Sequence, residues 1–234
     1  MNGADQPEPP GWERTRRAVV RNAVGVGVAV GAYGLSFGAL ATTSGLSIAQ
    51  ACALSVLTFT GGSQFALVGV IGAGGSPAAG IVSALLLGVR NSLYGLRLAP
   101  TLRVTGGRRL VAAHLVIDES TAMAVAQDED RAARLGFWAT GLAVFVCWNL
   151  ATLIGAVGAA ALGDPQALGL DAAVGAAFLA LLWPRLTGRG PWITALVAGA
   201  VALALTPHFP AGVPVLVAGL VAVTVGLRIP EPTP

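Results

Sequence analysis

Long runs of apolar residues are the feature that most limits what this chain can fold into. A helix needs about 20 residues to cross the ~30 Å apolar layer of a bilayer, and several runs reach or approach that length. Since lipid offers the backbone no hydrogen-bond partner, only helices and closed barrels can span it. Eight apolar runs lie between polar breaks, at residues 22–41, 47–73, 77–99, 110–126, 135–163, 170–184, 191–206 and 213–227.

The composition of the chain argues against a soluble fold. Hydrophobic residues make up 55% of its 234 residues and charged residues only 11%, whereas soluble domains carry about 25% charged residues. A soluble protein of this size could not cover so much apolar surface, because the surface of a folded chain must still face water. We therefore predict an all-α membrane protein, a bundle of about six to eight transmembrane segments. Residues 22–228 are expected to form a single transmembrane domain in the plasma membrane.

The two ends of the chain are polar and rich in proline. Residues 1–21 contain Arg14, Arg16, Arg17 and Arg21, and Arg concentrates on the cytoplasmic side of membrane proteins. We predict that residues 1–21 form a disordered cytoplasmic tail and residues 229–234 a second cytoplasmic tail. The first of these lacks the apolar core and cleavage site of a signal peptide, so we expect it to stay on the protein.

The charge balance and the cysteines exclude several classes of function. The 14 basic and 11 acidic residues give a net charge of +3, but the basic residues are few and scattered. They are typical of membrane orientation signals and do not indicate a nucleic-acid partner. Cys52 and Cys147 lie far apart in apolar runs and are expected to act as small apolar residues. The metal-binding and phosphate-binding motifs are incomplete, so we expect no metal and no cofactor.

Two of the apolar runs are interrupted by polar residues. The second run contains TFTGGSQ at residues 58–64, and the fourth contains Asp118 and Glu119. If both runs crossed the membrane fully, the Arg-rich loop at residues 103–109 would lie outside, against the usual distribution of Arg. If both are discontinuous or re-entrant, every Arg cluster lies in the cytoplasm. The sequence favours this second arrangement and leaves full crossing open.

The interruption at residues 58–64 is the first candidate site. Irregular backbone survives at membrane depth only where it is buried in protein or lines a watery cavity, and transporters build substrate sites from such breaks. The alternative is that the glycines only allow two helices to pack closely. We predict that the substrate is bound by Thr60, Gly61, Gly62, Ser63 and Gln64.

Three ionisable residues within apolar runs form the second candidate site. A charge at the centre of a membrane helix costs about 2.5–3.5 kcal/mol on insertion scales. Arg90 could bind a carboxylate, or its side chain could extend to the membrane surface. Asp118 and Glu119 could bind an ammonium group or carry a proton, or they could stabilise a helix N-terminus. Asp118 is also expected to share a helix face with His114, four residues earlier.

One long stretch reads GLSFGALATTSGLSIAQACALSVLTFTGGSQFALVGV at residues 34–70. It resembles the AzlC family, the large subunits of branched-chain amino acid exporters. Further stretches fit the same family in the same order: VRNSLYGLRLAP, IDES, and CWNLATLIGAVG followed by GLDAAVGAAFLALL. Together they cover about residues 30–185. The resemblance implies a small separate membrane subunit of the AzlD type, and the glycines at positions 25, 27 and 31 are expected to offer it a surface.

The resemblance also implies roles for residues that match the family's motifs. These are a small-residue–Gln–Phe motif, an Arg-containing motif and an acidic pair. The chain departs from the pattern around Arg90, where Gly88 and Asn91 replace an Asn and an aromatic residue or His. This departure bears on which amino acid is carried. The matching residues are, in the order of the motifs, Gly61, Ser63, Gln64 and Phe65; Arg90 and Tyr94; and Asp118 and Glu119.

We therefore predict a secondary transporter that exports branched-chain or similar small apolar amino acids, coupled to an ion or a proton. An intramembrane enzyme is the alternative from another class, and it would need a nucleophile with a base, or a metal cluster. Only His114 and the acidic pair are available for that chemistry, so no enzyme activity is expected. A channel for a small solute is the alternative within the membrane class, and saturation of the flux distinguishes it from a transporter.

Overall fold

The computed structural model describes residues 11–162, 179, 182–183, 186–209 and 213–228. None of these residues lies in a strand, and the predicted all-α fold is confirmed. The first ten residues, most of the predicted sixth run and the C-terminal tail at 229–234 lie outside the described residues. The helices are α1 Trp12–Gly31, α2 Tyr33–Thr43, α3 Ile48–Leu57, α4 Gly62–Gly72, α5 Pro77–Leu102, α6 Gly107–His114, α7 Asp118–Val125, α8 Asp130–Ala161, α9 Arg189–Leu205 and α10 Val213–Arg228.

Three of these helical stretches are long and apolar enough to cross a membrane. They are Trp12–Thr43 with 32 residues, Pro77–Leu102 with 26 and Asp130–Ala161 with 32. The predicted first, third and fifth runs are thus confirmed as long helices. Helices α9 and α10 are also apolar but shorter, with 17 and 16 residues.

Part of the predicted N-terminal tail is helical, which corrects the sequence-based expectation for residues 12–21. Helix α1 begins at Trp12, well before the apolar run. Glu13 forms ion pairs with Arg16 and Arg17, at 3.4 and 4.0 Å. These residues follow Glu13 by three and four positions, the separations at which ion pairs stabilise an exposed helix. The guanidinium of Arg131 lies 3.9 Å from the centre of the Trp12 ring. These contacts extend the membrane helix into the polar segment.

Contacts between residues divide the chain into two units. The first comprises residues 1–34 and 90–151, and the second comprises residues 35–89 and 152–234. The first unit contains α1, α6, α7 and the main part of α8. The second contains most of α2, with α3, α4, α9 and α10.

In the first unit, α1 packs closely along α8 through two glycines. A side chain on Gly27 would collide with Ala143, and one on Gly31 would collide with Cys147. Both contacts advance four residues in the same direction, so the two helices run parallel. The expected subunit surface at glycines 25, 27 and 31 is therefore wrong for Gly27 and Gly31, which α8 covers. Gly25 has open space beside it.

In the second unit, the interrupted second run forms a hairpin that turns back on itself. Helix α3 ends at Leu57 and α4 begins at Gly62. The end of α4 returns to the end of α2, because Gly72 lies directly against Ser44. Each half-helix is about 15 Å long at 1.5 Å per residue, half of the ~30 Å needed to cross. The run is therefore re-entrant, with its break at the tip.

In the first unit, the interrupted fourth run also turns back. Helix α5 ends beside the beginning of α8, since an Arg134 nitrogen (Nη1) donates to the carbonyl oxygen of Thr101 at 3.1 Å. The two helices joined to this run thus meet at one side, and the run between them cannot cross. Within it, Leu115 at the break packs against Gly141, and Met123 near the end packs against Gly136.

These contacts place the Arg clusters of the first unit on one side. The contact of Arg131 with Trp12 brings the N-terminal Arg cluster to the beginning of α8. The bond from Arg134 brings the end of α5 and the following loop to the same place. Because Arg concentrates in the cytoplasm, we expect this side, with the N-terminus, to be cytoplasmic.

The position of Arg108 tests this orientation. In a background without Cys52 and Cys147, Arg108→Cys is expected to react with a membrane-impermeant maleimide only from the cytoplasmic side. The matched control is Ala73→Cys, which precedes the other end of α5 and should react only from outside. Labelling of Arg108→Cys in intact cells would contradict the re-entrant arrangement of α6 and α7.

Candidate functional site

Helix α5 places Arg90 near its middle. Arg90 lies about 18 Å from the C-terminal end of the helix at 1.5 Å per residue, which is beyond the reach of its side chain. Tyr94 lies one turn later and shares the same face of α5.

Arg90 forms an ion pair with Asp118, the first residue of α7. Nη1 of Arg90 lies 2.9 Å from Oδ2 of Asp118, and the two side chains are 31% and 20% exposed. Each charge neutralises the other, which is how ionised groups persist at membrane depth. The sequence predicted both residues for the site but with separate tasks. The structure brings them together across 28 residues of sequence.

The beginning of α7 is stabilised by Ser120 and not by an acidic N-cap. Ile117 occupies the N-cap position, and its backbone N–H donates to Oγ of Ser120 at 3.1 Å. That hydroxyl donates in turn to the carbonyl oxygen of Leu115 at 2.6 Å. Asp118 and Glu119 lie in the first turn, where acidic residues favour the helix dipole. Because adjacent helical residues point about 100° apart, Glu119 does not share the face of Asp118.

The expected pairing of His114 with Asp118 on one helix face is wrong. His114 is the last residue of α6 and Asp118 is the first of α7, with non-helical backbone between them. The spacing of four residues therefore carries no helical register. The ring of His114 instead meets that of Phe145 edge to face, with centroids 5.7 Å apart.

In the second unit, Gln64 holds the two halves of the α3–α4 hairpin together. Its side chain is 1% exposed. Its amide nitrogen (Nε2) donates to the carbonyl oxygens of Leu54 and Ser55, at 3.1 and 3.2 Å. Both carbonyls belong to the last turn of α3, and that of Leu54 also accepts from the backbone N–H and the hydroxyl of Thr58, at 3.0 and 2.8 Å. Gln64 therefore positions the break, and its amide nitrogen is already occupied.

The other predicted residues of the break have distinct environments. Gly61 has a φ of 61°, a conformation that favours glycine. Oγ1 of Thr60 donates to the carbonyl oxygen of Thr58 at 2.8 Å. Ser63 is buried, and its hydroxyl has no hydrogen-bond partner among the described residues. A methyl group on Gly88 would lie 3.8 Å from that hydroxyl. The absence of a side chain at position 88, where the chain departs from the family's motif, therefore leaves space beside Ser63.

The predicted site residues thus fall into two sets. Arg90, Tyr94, Asp118 and Glu119 belong to the first unit, and Thr60 to Gln64 belong to the second. The sequence analysis did not single out Thr121, which lies in α7 three residues after Asp118. Groups of three or more His, Cys, Asp or Glu suited to a metal ion do not occur among the described residues.

Comparison with known proteins identifies one family. A family model described as AzlC protein matches residues 25–162, which is more than half of the chain. The matched stretch contains both re-entrant hairpins and the Arg90–Asp118 pair. No curated protein and no solved structure matches the chain.

Proposed function

Because the chain belongs to the AzlC family, which is associated with branched-chain amino acid transport, we propose that it exports branched-chain amino acids as a secondary transporter. Helices long enough to cross a membrane and membership of a transporter family are features of a multi-pass membrane protein. Export, coupling to a proton or another ion, and a small AzlD-type subunit are the specific parts of the proposal.

The observation that carries the proposal is the Arg90–Asp118 ion pair. An amino acid presents a carboxylate and an ammonium group, and the pair offers one complementary charge to each. Arg binds a carboxylate through directed N–H donors, and Asp accepts hydrogen bonds from an ammonium group. When the substrate enters, the ion pair between Arg90 and Asp118 is replaced by two ion pairs, one between Arg90 and the substrate carboxylate and one between Asp118 and the substrate ammonium group. The site stays neutral overall in both states, so neither state leaves an unpaired charge at membrane depth.

The position of Asp118 in the fold supports the same role. It follows the break of the α6–α7 hairpin directly, so it lies at the hairpin tip. Helix α7 has eight residues, which places the tip about 12 Å along the hairpin at 1.5 Å per residue. Interrupted helices with a charged group near the middle of the membrane are typical of transporter binding sites.

A dipeptide-feeding experiment tests the function. Cells that lack this protein and its small subunit are expected to accumulate leucine, isoleucine or valine when fed dipeptides that contain them. Restoring both genes should lower the internal pool, and this chain alone in liposomes should transport poorly. Unchanged pools of all three amino acids, with both proteins present in the membrane, would count against export.

A further inference from the structure

The hydroxyl group of Thr121 is buried about one helical turn after Asp118. Thr121 is 8% exposed, and its Oγ1 has no hydrogen-bond partner among the described residues. It follows Asp118 by three residues in α7, so both side chains lie on the same face of that helix. A buried hydroxyl without a partner costs about 1–3 kcal/mol, which makes such a group a candidate for binding a ligand.

Thr140 is also buried without a partner among the described residues, but several other threonines avoid this cost by bonding to their own helix. Each donates its hydroxyl hydrogen to a carbonyl oxygen three or four residues earlier, the usual arrangement for helical threonine. For Thr121, the carbonyl oxygen four residues earlier belongs to Ile117. It accepts from the backbone N–H of Thr121 at 3.0 Å, as in any helix, and lies 3.2 Å from Oγ of Ser120, whose one hydroxyl hydrogen is shared with the closer carbonyl oxygen of Leu115. The threonines with such bonds include Thr42, Thr43, Thr58, Thr194, Thr206 and Thr224.

Arg90 shows the complementary feature on the other side of the pair. Its Nε is buried and has no hydrogen-bond partner among the described residues, while its Nη1 contacts Asp118. The site therefore offers an unpaired N–H donor within the guanidinium group of Arg90 and a hydroxyl acceptor one helical turn after Asp118. An α-amino acid carries the opposite groups, since its carboxylate accepts hydrogen bonds and its ammonium group donates three.

We propose that Thr121 binds the ammonium group of the substrate together with Asp118, and so selects amino acids over carboxylic acids that lack the amino group. This inference rests on the proposed function. The carboxylate of Asp118 supplies the charge, which any ammonium group would satisfy. The Thr121 hydroxyl adds a second acceptor one turn away, and a ligand without N–H donors leaves it without a partner.

Binding of three ligands to the full chain with its subunit tests this proposal. L-leucine and leucine methyl ester both carry the ammonium group, whereas 4-methylpentanoate carries only the carboxylate. Thr121→Val keeps the size of the side chain and removes the hydroxyl. We expect it to weaken the binding of leucine and of the ester by about tenfold or more each, from the lower end of the range for hydrogen bonds to charged groups. Its affinity for 4-methylpentanoate should be unchanged.

The comparison of ligands on one variant separates binding from folding, because a misfolded variant loses all three ligands alike. Thr121→Ser keeps the hydroxyl and should retain leucine affinity within about twofold, since the hydrogen bond is preserved. An equal change for all three ligands, or none, would overturn the proposal, as would a loss confined to the two ligands with a free carboxylate. Absence of leucine binding by the unaltered protein would overturn the proposed function as well.

Discussion

Replacing Asp118 by Asn is expected to reduce leucine export by about 30-fold, the lower end of the roughly 2–5 kcal/mol for truncating one partner of a buried charge pair, because this pair is partly exposed. The variant keeps the size of the side chain but offers no charge to the substrate ammonium group. It also leaves the charge of Arg90 without its partner, at 2.9 Å in the native pair. Asp118→Glu should keep partial activity, because the charge is preserved and only displaced. Export from dipeptide-fed cells measures both effects.

A double variant separates transport from stability in this prediction. Removing one charge should destabilise the protein by about 1–3 kcal/mol, less than for a fully buried pair because both side chains are partly exposed. The double variant Arg90→Gln/Asp118→Asn removes both charges, so its thermal stability in detergent should recover while export stays lost. Recovery of export by the double variant would show that the pair is only structural.

The exposed pair between Arg134 and Asp130 provides the matched control. Its atoms are 3.7 Å apart, and its side chains are 40% and 56% exposed. Such pairs contribute about 0–1 kcal/mol, so Asp130→Asn should leave both export and stability close to those of the unaltered protein.

Replacing Gly38 or Gly155 by Ala is expected to prevent correct packing of α2 on α8. A methyl group on Gly38 would overlap the carbonyl oxygen of Thr152 and lie 2.8 Å from the backbone nitrogen of Ala156. One on Gly155 would overlap the carbonyl oxygen of Leu35. Backbone atoms cannot move aside as side chains do, so the helices must separate. We expect a loss of at least about 1–3 kcal/mol, the usual cost of overpacking, measured as thermal unfolding in detergent.

Gly158 is the control for helix propensity on the same helix. Nothing lies within 4 Å of a methyl group placed there, and alanine is favoured over glycine in a helix by about 0.8–1 kcal/mol. Gly158→Ala should therefore leave stability unchanged or slightly raised. Similar destabilisation by Ala at positions 38, 155 and 158 would contradict close packing of backbone as the cause.

The sequence predicted the candidate site only in part, because several of its features depend on distant residues. The polar break at residues 58–64 was visible as TFTGGSQ, and the structure places a gap between helices there. The hydrogen bonds from the Gln64 amide nitrogen to carbonyl oxygens of α3 could not be predicted from the sequence. The role of Ser120 at the start of α7 depends on Leu115 and Ile117, which precede it in non-helical backbone. The substrate-binding roles themselves stay predictions.

The dependence of local geometry on the surrounding fold also explains why the expected pairing of His114 with Asp118 was wrong. A separation of four residues predicts a shared face only within a continuous helix. His114 and Asp118 have that separation, but the backbone between them is not helical. Nothing in the apolar pattern of residues 110–126 locates that break, since the break itself consists of the apolar residues Leu115, Val116 and Ile117.

By itself, the sequence determined that this chain is helical and lies in a membrane. Apolar length and the need to satisfy every backbone hydrogen bond in lipid are local properties, and they can be counted along the chain. Only the tertiary structure decided that the two interrupted runs turn back and that Arg90 meets Asp118. Those outcomes depend on contacts such as Gly72 with Ser44 and Arg134 with Thr101. Side chains far apart in sequence meet only where helix packing brings them together, and no local pattern records that packing.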